Sequence, residues 1–173
     1  MIRKLMREEF DSVFQMIEAS FPKDEYRTYD EQKALLDDSA YEIYTLPGLD
    51  DNAVRAFIAV WQFDSFAFIE HFAVNPKYRN RGIGGEFLRE TVRMLDKMVC
   101  LEVEPPDNEM ASRRIGFYER NNFFLNRYPY TQPSISAGRS PVPLLMMSYG
   151  RYIGKTEFAD IKKELYTRVY QQS

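Results

Sequence analysis

Residues 68–97, FIEHFAVNPKYRNRGIGGEFLRETVRMLDK, decide how the chain is read. An apolar run with the character of a strand breaks at Asn75-Pro76. It crosses the loop Arg79-Asn80-Arg81-Gly82-Ile83-Gly84-Gly85 and continues as an amphipathic helix. In that helix Ile83, Phe87, Val92 and Leu95 share one face, with Glu86, Arg89, Glu90 and Arg93 on the other. Glycines let successive backbone N–H groups converge on one concavity with no side chain in the way. The helix starts there with unpaired donors and about half a positive charge at its end. Arg79 and Arg81 add whole charges, so the loop suits a phosphate or diphosphate.

The spacing narrows the ligand. An ATP-binding P-loop needs Lys-Ser/Thr after its last glycine, and Glu86-Phe87 stands there. A dinucleotide fingerprint fits Gly82 and Gly84 but would place its third glycine on Phe87. Glu102 lies about twenty residues on, where that fingerprint asks for an acid, so a nicotinamide ligand stays open at this point.

With 173 residues, the chain is long enough for one domain with a real core. Its 45% apolar content, 12 Tyr and 13 Phe are those of a globular protein. A net charge of −3 with scattered Arg and Lys gives no nucleic-acid footprint. The start has no signal-peptide pattern and no run approaches a membrane span, so a cytoplasmic setting is expected. The lone Cys100 permits no internal disulfide and reads as a small apolar filler in a buried strand. No metal site is indicated.

Outward from the central stretch, Ile2–Leu5 reads as a short strand and Arg7–Phe21 as a helix ended by Pro22. PKDEYRTYD (22–30) loops before a helix near Glu31–Leu36. Tyr41–Leu46 is a strand closed by Pro47-Gly48 and an acidic turn at Asp50-Asp51-Asn52. Val54–Phe63 and Phe66–Val74 are apolar strands. After the loop and helix come a strand at Val99–Val103 and a helix capped by Asp107 or Asn108. Asn122 stands where a left-handed residue ends that helix. Phe123–Tyr128 is a strand, PYTQPSISAGRSPVP a long irregular loop, and Leu144–Tyr149 the last strand. Thr156 caps a helix with Phe158, Ile161, Leu165 and Val169 in one stripe.

Two motifs carry a resemblance. Arg79-x-x-Gly82-x-Gly84, directly after a strand, resembles the Gln/Arg-x-x-Gly-x-Gly/Ala loop of the GNAT superfamily of acyl-CoA-dependent N-acetyltransferases. Tyr118-Glu119-Arg120-Asn121-Asn122-Phe123 resembles that family's Tyr-x-x-x-Gly-Phe, with Asn122 in place of the glycine. The chain departs from the family at Ala111 and Arg114, so the family's asparagine contact to coenzyme A is not carried over. The resemblance implies one α/β domain over 1–173: a mixed, mostly antiparallel sheet of about seven strands, flanking helices and an extra C-terminal helix. It implies acetyl-CoA as cofactor and a small-molecule or peptide amine as acceptor, without nucleic acid or membrane. A homodimer would be one use for the C-terminal helix. The alternative is an acyl-CoA-binding or regulatory module of the same fold that has lost turnover.

Acyl transfer to an amine requires a held thioester, a neutral amine, a donor for the developing oxyanion and a proton for the leaving thiolate. By resemblance, Arg79, Asn80, Arg81, Gly82, Ile83, Gly84 and Gly85 hold the diphosphate, and the backbone of Phe72, Ala73 and Val74 holds the pantetheine arm. The Val74 region then polarises the thioester carbonyl. Glu70, a carboxylate inside an apolar strand, is the candidate base, with burial expected to raise its pKa; pairing with an arginine is the other reading. Alternation puts Glu70 on one face with Phe72 and Val74, and His71, packed and hydrogen-bonded, on the other, unless a bulge intervenes. Tyr118 is the candidate acid. Glu25, Tyr26, Tyr29 and Tyr130 are candidates for receiving a cationic acceptor.

Overall fold

The computed structural model describes residues 1–49 and 53–172, so the acidic turn expected at Asp50-Asp51-Asn52 lies outside the described residues. The chain forms two compact units, Met1–Val99 and Cys100 onward. Among the described residues they hold seven strands and five α-helices, the expected α/β class, and every pairing within either unit is antiparallel. Among the described residues no helix is long and apolar enough to cross a membrane.

In the first unit β1 (Arg3–Lys4), β2 (Tyr41–Pro47), β3 (Val54–Gln62) and β4 (Phe66–Val74) pair in sequence order. β3 is buried almost throughout, which is why it reads as a continuous apolar run rather than an alternating one. Helix α1 (Phe10–Ser20) buries Phe10, Val13, Phe14 and Ile17 at helical spacing. Pro22 follows, and residues 23–25 form a single tight turn. Helix α2 (Tyr29–Ala34) starts one residue before the expected polar stretch ends, because Thr28 accepts the Glu31 N–H (3.3 Å) while donating to its carboxylate (2.7 Å).

Pairing of β3 with β4 jumps from Ala59↔His71 to Val60↔Ile69, leaving Glu70 as the extra residue of a bulge. Strict alternation therefore fails at this position. Phe72 still sets its ring against Phe87 of helix α3 (Ile83–Leu95; centroids 6.3 Å), but Glu70 no longer shares its direction. The helix buries Phe87, Leu88, Thr91, Val92 and Leu95.

In the second unit the strand order is β5 (Met98–Val103), β7 (Val142–Tyr149), β6 (Phe123–Gln132). Helix α4 (Glu109–Arg120) is capped by Asn108, whose side chain accepts from Ala111 N at 2.9 Å. Asn122 takes the left-handed conformation expected of it, φ 69°. β6 runs past the expected end at Tyr128. Pro129 reads as a stop, yet it falls in the register break between Asn126 and Tyr130, where no ladder N–H is needed, and pairing resumes with Tyr130↔Leu144. The irregular connection is thus confined to 133–141. Helix α5 (Lys155–Glu164) begins after Gly154 rather than at Thr156, and continues as a wider turn over Leu165–Val169. The stripe Phe158, Ile161, Leu165 and Val169 is buried as expected.

Candidate functional site

The loop after β4 is built to leave donors open. Arg79 Nε donates to the Val74 carbonyl (3.0 Å), folding the chain back over the strand end. Asn80 and Gly82 both take positive φ, 64° and 75°, so the backbone turns sharply into α3. A Cβ on Gly82 would meet nothing within 4 Å, so the glycine is required by conformation and the space beside it is open. No side chain caps the helix, and the first backbone bond is Glu86 N–H to Gly82 C=O (3.3 Å). The N–H groups of Ile83, Gly84 and Gly85 precede it with no carbonyl in reach on the previous turn. Arg79, Asn80, Arg81 and Gly82 are exposed. Three open amides, a helix dipole and two guanidinium groups fit a diphosphate.

The β4 backbone leads into this nest. Asn75 N–H bonds to the Arg55 carbonyl of β3 (2.7 Å), so ladder alternation directs the N–H groups of Phe72 and Val74 away from β3. Ala73, between them, faces β3 with its polar groups.

Four residues upstream of Val74, Glu70 is enclosed. Its side chain is 2% exposed and that of Arg27 6%; Arg27 Nη2 stands 2.9 Å from Oε1. Trp61 Nε1 donates to Oε1 (3.3 Å) and Gln32 Nε2 to Oε2 (3.4 Å). Gln32 also donates to the Tyr41 hydroxyl (3.0 Å). Burial pushes the Glu70 carboxyl up, but the Arg27 charge and the hydrogen bonds from Arg27 and Trp61 help outweigh it and hold the carboxyl below its ordinary value. The expected upward shift is therefore reversed, and pairing with an arginine, the other reading of Glu70, is what the structure holds. His71 is buried beside it. Its Nε2 lies 2.8 Å from the Glu25 carbonyl, which can only accept, so Nε2 carries the proton. Nδ1 is then a lone pair, and its 3.5 Å approach to Glu70 Oε2 is a contact, not an ion pair. Burial drives the imidazole below its ordinary pKa and keeps it neutral.

In the second unit, Tyr118 sits on α4 with its ring edge-on to Phe123 (5.6 Å). Burial pushes its phenol up to about 12. Among the described residues its hydroxyl has no hydrogen bond. Tyr130 behaves differently: it is buried in β6 and its hydroxyl donates to Glu102, which also accepts from Tyr170 (2.6 Å). Tyr130 therefore spends its polar end internally rather than presenting it to an acceptor. The same contacts occupy both oxygens of Glu102, the acid of the dinucleotide pattern.

Of the other acceptor candidates, Tyr29 packs edge-on to Phe10 and Phe14 (5.4 and 5.3 Å) and donates to Asp11. Tyr26 packs on Phe14 (6.0 Å), and Glu25 contributes its backbone carbonyl to His71. All three are half-buried. Sequence reasoning missed Arg27 and Gln32. A carboxylate in an apolar strand signals that a cation must come to it, but nothing in PKDEYRTYD marks Arg27 as the one.

The model of the acetyltransferase (GNAT) family matches residues 3–123. The Bacillus subtilis (strain 168) protein named "Putative acetyltransferase YjbC" is 28% identical over 112 residues, 64% of this chain. The chain spans about half of that relative's length (55%). A solved structure titled "Putative acetyltransferase from GNAT family from Bacteroides thetaiotaomicron" superposes with TM-score 0.87 at 32% identity, covering 100% of this chain and 99% of that one. An aminoglycoside 6'-N-acetyltransferase solved with coenzyme A shares the fold alone, at TM-score 0.62 and 12% identity over 86% of this chain and 95% of its own.

Proposed function

The chain belongs to the acetyltransferase (GNAT) family, and from that premise we propose that it moves an acetyl group from acetyl-CoA to a primary amine of a small molecule or peptide. The observation that carries the reading is the uncapped N-terminus of α3. Its open amides follow two positive-φ residues and the exposed Arg79 and Arg81, at the end of the strand whose outer N–H groups face away from β3. Acetyl-CoA supplies the activated acyl group as a thioester.

In this reading Ile83, Gly84 and Gly85 N–H groups, with Arg79 and Arg81, hold the diphosphate, and Phe72 to Val74 guide the arm. The Val74 N–H polarises the carbonyl where negative charge develops. The amine attacks directly, forming the C–N bond as C–S breaks, so no enzyme nucleophile is needed and buried Cys100 takes no part. Tyr118 serves the leaving sulfur. A phenol at about 12 is a far weaker acid than a thiol near ~8.5, so complete transfer would run uphill by roughly 5 kcal/mol. Tyr118 therefore donates a hydrogen bond to the developing thiolate, and the proton follows from solvent. Glu70, sealed and paired, receives no proton from the amine, which loses it to water. An alkylamine near ~10.4 is mostly protonated at pH 7, so turnover rises with pH below that value.

The test is thiol release from acetyl-CoA across a panel of amines, together with calorimetric binding. Tyr118→Phe should lower kcat about 10²-fold while changing acetyl-CoA affinity less than twofold. Saturable acetyl-CoA binding with no amine-dependent thiol would reduce the protein to a binding module. Full activity in Tyr118→Phe would remove the tyrosine from the mechanism.

A further inference from the structure

The Arg27–Glu70 pair is an expensive way to hold a surface segment. Buried ion pairs are often matched or bettered in stability by apolar side chains of similar size, and this segment already has them. Phe21 lies against His71 (centroids 4.7 Å), and Tyr26 and Tyr29 pack on Phe14. What an ion pair and its hydrogen bonds add is direction. Arg27, Gln32, Trp61 and Tyr41 converge on one carboxylate or its neighbour, and Glu25 is held independently through His71. All of this depends on the bulge, which turns Glu70 out of the alternation and toward residues 21–32.

The location gives the direction a use. Glu70 is four residues from Val74, about 13 Å of strand, a shorter distance than an extended pantetheine arm. On the acetyltransferase reading, on which this inference rests, the acyl group polarised at the Val74 N–H lies within four residues of the bulge. Residues 21–32 then border the space where the amine must arrive. We propose that the Arg27–Glu70 pair is a positioning device that pins residues 21–32 across the β4 bulge and so selects which amines reach the acyl group. Glu70 and Arg27 touch neither substrate; they act through the half-buried Glu25, Tyr26 and Tyr29 that the pinned segment presents.

The experiment combines amide hydrogen exchange with competition between two acceptors, n-butylamine and alanine amide, in wild type, Glu70→Gln and Glu70→Gln/Arg27→Met. Glu70→Gln should speed exchange at residues 23–32 at least tenfold beyond any change shared with β2 and β3. It should also shift the ratio of the two acetylated products at least fivefold, with acetyl-CoA protection of amides 79–87 retained. The double variant, which leaves no charge unpaired, should recover most of the exchange protection through its apolar contacts yet keep the shifted product ratio; a wild-type ratio in it would overturn the proposal. A uniform loss of stability would raise exchange everywhere and leave the product ratio alone, overturning the proposal. A segment that loosens without moving the ratio, or does not loosen, overturns it too. A wild-type chain that gains no protection at 79–87 from acetyl-CoA fails the acetyltransferase reading instead.

Discussion

Two regions of one strand-and-helix unit, residues 70–71 and residues 79–85, treat their polar groups in opposite ways. At the bulge, Glu70 meets an arginine, an indole N–H and an amide, and water is shut out. At the loop, three helix amides and two guanidinium groups face outward with the first turn unclosed. Groups whose partners are supplied by the protein hold a shape; donors left open to solvent meet a ligand. That difference moves Glu70 from the chemistry to the architecture and is the ground on which the loop is proposed as the diphosphate site.

The severest way to break this contrast is to remove the partner that closes the bulge. Arg27→Met leaves a carboxylate buried without its cation, and should cost about 3–5 kcal/mol at pH 7 in urea unfolding. The sign of its pH dependence is the sharper check. In wild type Glu70 is held below its ordinary value, so it stabilises the fold above that value and loses this as pH falls through its folded pKa. Without Arg27, burial alone would raise the carboxyl, and the variant's deficit against wild type should shrink as the medium is acidified from pH 8 to 5. A deficit equal at both ends would mean that the charge of Arg27 is not what Glu70 answers to.

A smaller effect is expected at the open end. Gly82 adopts φ 75° beside empty space, so Gly82→Ala should cost about 1–2 kcal/mol from backbone strain alone. Gly82→Asn should cost less, because asparagine tolerates the left-handed region. Both should weaken acetyl-CoA binding in calorimetry, the alanine variant at least tenfold, because the three amides lose their common aim. Unchanged affinity alongside the stability loss would show that the loop's donors are not what holds the diphosphate.

Most of the scaffold was readable from local pattern. Helical spacing in α1 and α3, the β4 limits, the Asn108 cap and the left-handed Asn122 all follow from rules that act within a few residues. The loop was readable for the same reason, since glycine spacing and the helix start are adjacent in the chain. Glu70 and Tyr130 were not. Their roles depend on partners distant in sequence, Arg27 and Glu102, that only pairing across the fold brings close. The bulge defeated alternation by one inserted residue. Pro129 hid the continuation of β6, because a proline that ends a regular strand is harmless where the register is already broken.

The gentlest probe of the closed end is its histidine. Nε2 must carry a proton to meet the Glu25 carbonyl, so adding one to Nδ1 would charge a buried ring; the Glu70 carboxylate beside it favours that charge, but burial outweighs it and holds the pKa below 6.5. In the unfolded chain the imidazole takes a proton near pH 6.5. Between that value and the lower folded value the unfolded state binds more protons, so stability must fall as pH falls, by up to ~1.4 kcal/mol per pH unit. The chain has one histidine, and Glu9, Glu70 and Glu157 are each held below their ordinary carboxyl values, so the slope near pH 6 belongs to His71. His71→Gln offers an N–H to the same carbonyl without titrating, and should flatten the dependence of unfolding free energy between pH 7.5 and 5.5. A slope that survives the substitution would mean that groups other than His71 set it, and that burial does not withhold the proton from the folded imidazole.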